Sequence, residues 1–369
     1  MKKILITGSL GFIGKNLIAH LRDKSYGEIL TFNRNQNEEV LINLIHQADV
    51  IVHLAGSNRP SEVSDFSKIN VDLTKSICKA ISSSMRTIPV IFTSSTQIEQ
   101  SNPYGASKLL AEEILQDFST ANNNPIAVFR LPGVFGKWCK PNYNSVVATF
   151  CYNIANNLPI QIHDSKKELS LVYIDDVVNK LIQTINASWQ GISRLSVNPL
   201  YLITIGELAN LIEGFNQKRL AGKVDRVGDG LLRALYSSYL SYLPPEQFSY
   251  KVPESSDARG RFIEVLKTPD CGQFSFFTAL PGMTRGDHYH HSKTEKFIVV
   301  QGEALFRFRN IITNETYEIL TTSAKPQIVD SIPGWSHNIR NIGENDLIVM
   351  VWANEIFNRE LPDTIPSKV

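Results

Sequence analysis

The 369-residue chain has only four cysteines, Cys78, Cys139, Cys151 and Cys271, and none stands in a C-x-x-C spacing. That scatter excludes a disulfide scaffold or a thiolate zinc finger and reads as reduced thiols in a cytoplasmic protein. Long apolar runs are also missing. None approaches the roughly 18 residues that a membrane-spanning helix needs. Excess charge of either sign is absent, since 37 basic and 36 acidic residues leave a net +1. Such a balance offers no electrostatic footprint for nucleic acid or for an anionic membrane. There is no internal repeat and no low-complexity tract. Asn186-Ala-Ser and Asn314-Glu-Thr fit the glycosylation sequon. The first residues already read as a core strand with no room for a signal peptide, so both are read as chance matches.

What is present points to two domains, the natural expectation at this length. The organising stretch is Met1 to Gly14. Ile4, Leu5 and Ile6 read as a buried parallel strand. Gly8, Gly11 and Gly14 follow as G-x-x-G-x-x-G, and Lys15 to Leu21 reads as an amphipathic helix. Glycines there allow a tight turn and bring bare backbone N–H groups, with the positive end of the helix dipole, against a pyrophosphate. Gly8, Gly11, Phe12, Ile13 and Gly14 are therefore candidate dinucleotide-binding residues. Glu28 to Phe32 reads as the second strand, and Asn33-Arg34 stands where an NAD site usually carries Asp or Glu. With no carboxylate to repel a 2′-phosphate and Arg34 able to pair with it, the sequence favours NADPH. The alternative is that Arg34 is only solvated.

Short apolar strands continue to alternate with helices, which argues a parallel, doubly wound α/β sheet. The strand from Ala48 ends in Leu54-Ala55-Gly56, a small-residue turn placed to pack under a cofactor. His53 reads as a hydrogen-bonded structural histidine. A helix is expected over Phe66–Ser84 and a strand over Ile88–Phe92. Thr93-Ser-Ser follows, and then Tyr104-Gly-Ala-Ser-Lys108 opens another helix. Tyr104 and Lys108 share one helical face at i and i+4. Ketone reduction needs a proton on oxygen as well as hydride on carbon. A tyrosine can supply that proton once a nearby ammonium favours its phenolate. Ser94 and Ser95 are candidates to hold the carbonyl oxygen, with Ser95 preferred. Lys137, Lys140 and Asn144 lie in a polar, aromatic stretch from Gly136 to Phe150. It reads equally as a nucleotide-sugar contact or as a surface loop feeding a helix.

These motifs (TGSLGFIG, HLAG, TSS, YGASK and YIDDVV at 173–178) together resemble the extended short-chain dehydrogenase/reductase family, nucleotide-sugar branch. The resemblance spans roughly the first 180 residues and implies a Rossmann-type domain. It also implies Tyr104 as general acid, Lys108 as ribose anchor and Ser95 as carbonyl positioner. Gly133 stands where that family usually has Asn.

Helices are expected over Ile205–Phe215 and Gly230–Tyr242. Leu243-Pro-Pro stops the second of these, and the boundary is placed near residues 243–252, giving domains 1–246 and 247–369. Beyond it, strand-forming runs alternate with turns, as in an all-β barrel or jelly roll. Four of the eight histidines (His288, His290, His291 and His337) lie here. His288, His290, Glu295 and His337 offer three imidazoles and a carboxylate, a set suited to zinc or another divalent metal. The spacing from Gly282 to Gly302 is similar to the first cupin motif, G-x5-H-x-H-x4-E-x6-G. The second motif is matched only at Pro333, His337 and Asn341. The alternative is a metal-free barrel that keeps its histidines for acid–base work. His291 is then either a supporting group or an active-site base.

A reductase followed by a cupin resembles the CapF-type bifunctional enzymes of bacterial capsule and O-antigen synthesis over essentially the full length. That resemblance implies a UDP-sugar substrate, C3 epimerisation of a UDP-2-acetamido-2,6-dideoxy-4-hexulose and then NADPH-dependent reduction at C4. The product would be UDP-2-acetamido-2,6-dideoxy-L-talose. By analogy it implies a homodimer. The competing reading is a plain nucleotide-sugar 4-ketoreductase with a structural or regulatory cupin.

Overall fold

The computed structural model describes residues 1–58, 66–251 and 253–369. Two compact units form, Met1–Ile212 with Ala234–Leu243, and Glu213–Arg233 with Pro244–Val369. The sequence suggests one division at 246/247, in a linker whose last residue, Val252, lies outside the described residues. The chain instead passes between units at 212/213, 233/234 and 243/244. Backbone pairing draws the intervening segment into the second unit. Val224 N–H donates to Lys267 O and Lys267 N–H to Gly222 O.

The first unit is built on a parallel sheet. Its strands are β1 (Lys3–Thr7), β2 (Glu28–Phe32), β3 (Val50–His53), β4 (Val90–Ser95), β5 (Ile126–Leu131) and, later, β8 (Ile192–Leu195). The spatial order is β2-β1-β3-β4-β5-β8. The expected doubly wound alternation is present, with β2 as the sheet edge. α2 (Glu38–Gln47) separates β2 from β3, and among the described residues no strand pairs beyond β2. The order reverses beside β1, which pairs with β2 on one side and β3 on the other. Open α/β sheets bind ligands at such a switch point.

Ile4, Leu5 and Ile6 of β1 and Ile51 and Val52 of β3 are fully buried, as strands covered on both faces must be. One face packs against α2, α3 (Leu73–Ser83) and α4 (Pro103–Asn122), through Leu41, Ile45, Ile77, Ile81 and Leu115. A π-helical segment, Ser67–Asp72, leads into α3. α1 (Phe12–Asp23) packs against a later helix, Ile174–Asn186. A small sheet of β6 (Gly133–Phe135), β7 (Glu168–Tyr173) and β9 (Tyr201–Thr204) completes this unit. No helix among the described residues is long and apolar enough to cross a membrane.

The second unit is antiparallel. One sheet has the order β10 (Glu254–Asp257), β11 (Gly260–Thr268), β12 (Gly272–Ala279), β19 (Leu347–Ala353), β14 (Glu295–Gln301), β17 (Val329–Asp330). The other runs β16 (Thr316–Thr322), β15 (Glu303–Asn310), β18 (Trp335–Asn341), β13 (Thr284–Tyr289), β20 (Ile365–Pro366). Phe277, Phe297, Leu347 and Val349 of the first sheet meet Phe306, Phe308 and Ile339 of the second in one core. Inward residues alternate with outward ones along β12, β15 and β19, the period-2 pattern of two packed sheets.

Candidate functional sites

The glycine-rich turn lies at the switch point. Gly8 has φ +71°, and a Cβ there would come within 2.7 Å of Ala55 N, so the loop after β3 closes directly on the loop after β1. A Cβ on Gly14 would lie 2.4 Å from Gly8 O and 2.8 Å from Ser9 Cα. Gly11 is different: its Cβ would meet only Gly8 O, at 3.1 Å. Gly8 and Gly14 are thus required by the turn, whereas Gly11 keeps a surface bare. Gly11 caps α1 without a side-chain hydrogen bond, and the first turn has no acidic residue. The leading amides of Phe12, Ile13 and Gly14 have no acceptor within the helix, which is the arrangement that receives a phosphate. This cradle fits a dinucleotide.

Leu54 N–H donates to Thr7 O and Ala55 N–H to Thr7 Oγ1, each at 3.3 Å, fixing the turn beneath that cradle. Asn33 closes β2. Its Oδ1 accepts from Ser9 Oγ at 2.7 Å and its N–H donates to Gln36 Oε1 at 2.7 Å. Arg34 follows, exposed. His53 is fully buried between Thr7 Oγ1 at 2.8 Å and Thr74 Oγ1 at 3.0 Å. Burial first, and then the charge of Lys108, depress its pKa to about 3, so it is a neutral structural histidine.

α4 brings Tyr104 and Lys108 to the same end of the sheet as Ser95. Asn102 Oδ1 caps that helix by accepting Gly105 N–H at 2.8 Å, with Pro103 in its first turn. Ser95 stands close enough to the Tyr104 phenol to draw its pKa down, and it also accepts Gln97 N–H at 3.2 Å. Ser94 Oγ is buried without a partner. The structure therefore brings Ser95, not Ser94, to the phenol. Lys108 is 4% exposed and donates to Thr93 O at 2.9 Å. The sequence reading has this ammonium pull the phenol down. Here burial pushes Tyr104 up, against the pull of Ser95, and Lys108 is itself lowered to about 8, mainly by burial.

One neighbour carried no sequence signal. Asn70, in the π-helical segment, donates from Nδ2 to Ser107 Oγ at 2.9 Å and to Ser57 O at 3.1 Å. Its Oδ1 accepts Ser57 N–H at 2.8 Å, so it ties the loop after β3 to α4.

The 136–150 stretch is divided. Trp138, Cys139, Lys140 and Pro141 line a cavity of about 1010 Å³ together with Ser9 and Asn33. Lys137 is engaged by Asp175 at 2.5 Å, and Asn144 is exposed. At Gly133 a Cβ would lie 2.9 Å from Leu171 Cδ2 and 3.1 Å from Ser170 O, so the usual Asn would require the Leu171 side chain to shift.

In the second unit, His288, His290, Glu295 and His337 place one ligand atom each within 4.8 Å of all the others. A register shift between Gly286 and His288 turns β13 at Asp287, φ +58°, and sets His288 opposite His337 of β18. Bulges beside functional sites re-aim side chains in this way. His290 falls just past the end of β13, and Glu295 opens β14. His290 Nε2 lies 3.0 Å from Glu295 Oε2, and Lys293 Nζ lies 3.1 Å from Glu295 Oε1. Burial acts to raise the Glu295 carboxyl. The facing His290 and His337 rings and the Lys293 charge outweigh it, holding it well below the carboxylate range. Burial lowers His288 to about 4. Both ring nitrogens of His337 are buried without a hydrogen-bond partner. Three imidazoles converging on a carboxylate, with the orphaned nitrogens of His337 among them, fit a divalent cation with N and O ligands. His291 stays outside this set, exposed, with its ring on Tyr289.

Comparison with known proteins places these sites in context. Residues 4–194 match the NAD dependent epimerase/dehydratase family, and residues 255–365 match the polysaccharide biosynthesis C-terminal domain. The chain is 52% identical over 367 residues to a UDP-2-acetamido-2,6-beta-L-arabino-hexul-4-ose reductase of Pseudomonas aeruginosa, covering 100% of this chain and 99% of that one. It superposes on the capsular polysaccharide assembling protein CapF from Staphylococcus aureus with a TM-score of 0.92 at 41% identity, covering 99% and 100% of the two chains. A structure of that protein in space group C2221 gives 0.85 at 36% identity, covering 99% of each.

Proposed function

The chain belongs to the NAD dependent epimerase/dehydratase family, and from that membership we propose that it is a bifunctional nucleotide-sugar enzyme of surface-polysaccharide synthesis. Its reductase domain, 1–246, reduces a UDP-sugar 4-ketone with NADPH. Its cupin domain, 247–369, first epimerises C3 of UDP-2-acetamido-2,6-dideoxy-4-hexulose. The product is UDP-2-acetamido-2,6-dideoxy-L-talose.

The observation that carries the reductase assignment is the convergence of Ser95, Tyr104 and Lys108 at the end of the sheet that holds the glycine cradle. Ser95 holds the ketone oxygen beside the phenol. Tyr104 donates its proton to that oxygen as carbon C4 is reduced. A phenol kept protonated by burial suits a donor. Lys108 positions the nicotinamide ribose and carries the charge that compensates the phenolate left behind. When bound, NADPH supplies the hydride. The residues that would hold it are Gly8, Gly11, Phe12, Ile13, Gly14, Leu54 and Ala55, with Asn33 and Arg34 at the 2′-phosphate.

The epimerase reading rests on chemistry that the same ketone makes available. A C4 carbonyl acidifies the C3 proton, so removing it to an enolate and delivering a proton to the opposite face inverts that carbon. His288, His290, Glu295 and His337 would hold one zinc ion, which supplies Lewis-acid stabilisation of the enolate when bound. Homodimer formation by the reductase domain, as the resemblance implies, is read directly by light scattering.

The deciding experiment follows the 4-keto UDP-sugar by NMR in deuterated water, without and then with NADPH. Deuterium should enter C3 before NADPH is added, and C4 should then be reduced. Tyr104→Phe should lower NADPH oxidation by at least 100-fold and leave C3 exchange intact. Reduction without C3 exchange would leave the alternative, a plain 4-ketoreductase with a structural cupin. Loss of both activities in Tyr104→Phe would contradict separate sites.

A further inference from the structure

Among the described residues, the cluster that neither motif includes is a strap laid across the histidine loop by Asp363–Val369. Asp363 Oδ1 accepts His291 N–H at 2.9 Å, and its Oδ2 accepts Ser292 N–H and Lys293 N–H, each at 2.8 Å, and Ser292 Oγ–H at 3.0 Å. One carboxylate therefore gathers three consecutive amides from a segment about seventy residues away. The carbonyl of the same residue receives His290 Nδ1. Beyond it, β20 pairs with β13, placing Pro366 opposite His288. Ser367 N–H donates to Asp287 O at 2.8 Å, at the bulge that aims His288.

These bonds act on the cation site from two sides. With a backbone carbonyl accepting from Nδ1, that nitrogen carries the ring proton, which leaves Nε2, 3.0 Å from Glu295 Oε2, as the nitrogen able to ligate a cation beside the carboxylate. The three captured amides also fix the loop that turns Lys293 inward. Lys293 Nζ then holds Glu295 Oε1, leaving Oε2 to face the histidines. Partners of this kind set the tautomer and orientation of metal-binding side chains, and their loss typically weakens metal binding about 10- to 100-fold.

We propose that Asp363 is a positioning residue of the metal centre: it fixes His290–Lys293 and through them the approach of His290 and Glu295 to the cation. The inference rests on the reading of His288, His290, Glu295 and His337 as metal ligands.

The test uses the full-length protein, stripped and reloaded. Zinc affinity is measured by competition with a chelator of known affinity. Geometry is read from the visible absorption of the cobalt(II) form. Asp363→Ala should weaken zinc binding by about 10- to 100-fold and shift the cobalt bands. Asp363→Asn keeps one acceptor oxygen but cannot receive all four donors, so it should fall between Asp363→Ala and the parent. It also serves as the informative variant if Asp363→Ala does not fold. Parent-like affinity and an unchanged cobalt spectrum in these variants would overturn the proposal and leave the metal assignment standing. A parent protein that binds neither metal would overturn the metal assignment itself, and this inference with it.

Discussion

At the scale of single residues, the three glycines of the first turn look alike in sequence but do different work. Gly14→Ala drives a Cβ against the backbone of Gly8 and Ser9, which cannot move aside as a flexible side chain would. A loss of roughly 2 kcal/mol or more is expected. Gly11 has extended backbone at φ −74°, ψ 173° and one moderate approach. Gly11→Ala should therefore keep the melting temperature and lose NADPH affinity. Thermal melts beside cofactor titrations separate the two, and equal melting losses would contradict this division. His53 has a pH signature. Its folded pKa of about 3 lies below the ordinary 6.5, so the unfolded chain takes up the proton first as the pH falls. Its contribution is complete above about pH 6.5 and is lost toward pH 3, at roughly 1.4 kcal/mol per pH unit. Acid denaturation of His53→Gln should show a shallower slope across that window. Tyr104, Lys108 and Ser95 were legible because a helical spacing and a strand end bring them together. Asn70, Lys293 and Asp363 were not, because each works through backbone amides, carbonyls or ion pairs that leave no periodic mark.

At the scale of elements, α4 is the clearest case of local sequence fixing a site. Asn102 caps it and Pro103 pre-sets its first turn, one residue before Tyr104. Asn102→Ala should cost about 1 kcal/mol. It should also slow ketone reduction while leaving C3 exchange unaltered. A melt combined with the two assays checks this, and unchanged reduction would detach the cap from catalysis. β1, β2 and β4 were readable from their apolar runs. β18 and most of β13 were not. Trp335–Asn341 is largely polar because it lines the site, and the bulge at Asp287 breaks the alternation of β13. The chemistry placed in these strands removed the pattern by which strands are recognised.

At the scale of the whole molecule, each unit has its own core, and only the second contains the histidine cluster. Metal bound at 1,000 times its dissociation constant would add about 4 kcal/mol to that unit alone. Calorimetry with and without a chelator should move the unfolding of the second unit and leave NADPH binding in place. A shift in cofactor affinity would count against it. The α/β-then-β order was legible from the change in texture near residue 243. The edge position of β2 and the return of Glu213–Arg233 to the second unit were not. Sheet order and long-range backbone pairing depend on contacts that no local window contains.

The strap across the histidine loop also implies a reciprocity. If Asp363 tightens cation binding by a given factor, the cation must favour the closed strap by the same factor. Amides of His291, Ser292, Lys293 and Ser367, all donors in that arrangement, would then exchange with solvent more slowly in the loaded protein. The order of residues 363–369 becomes a gauge of metal occupancy that can be read without any substrate.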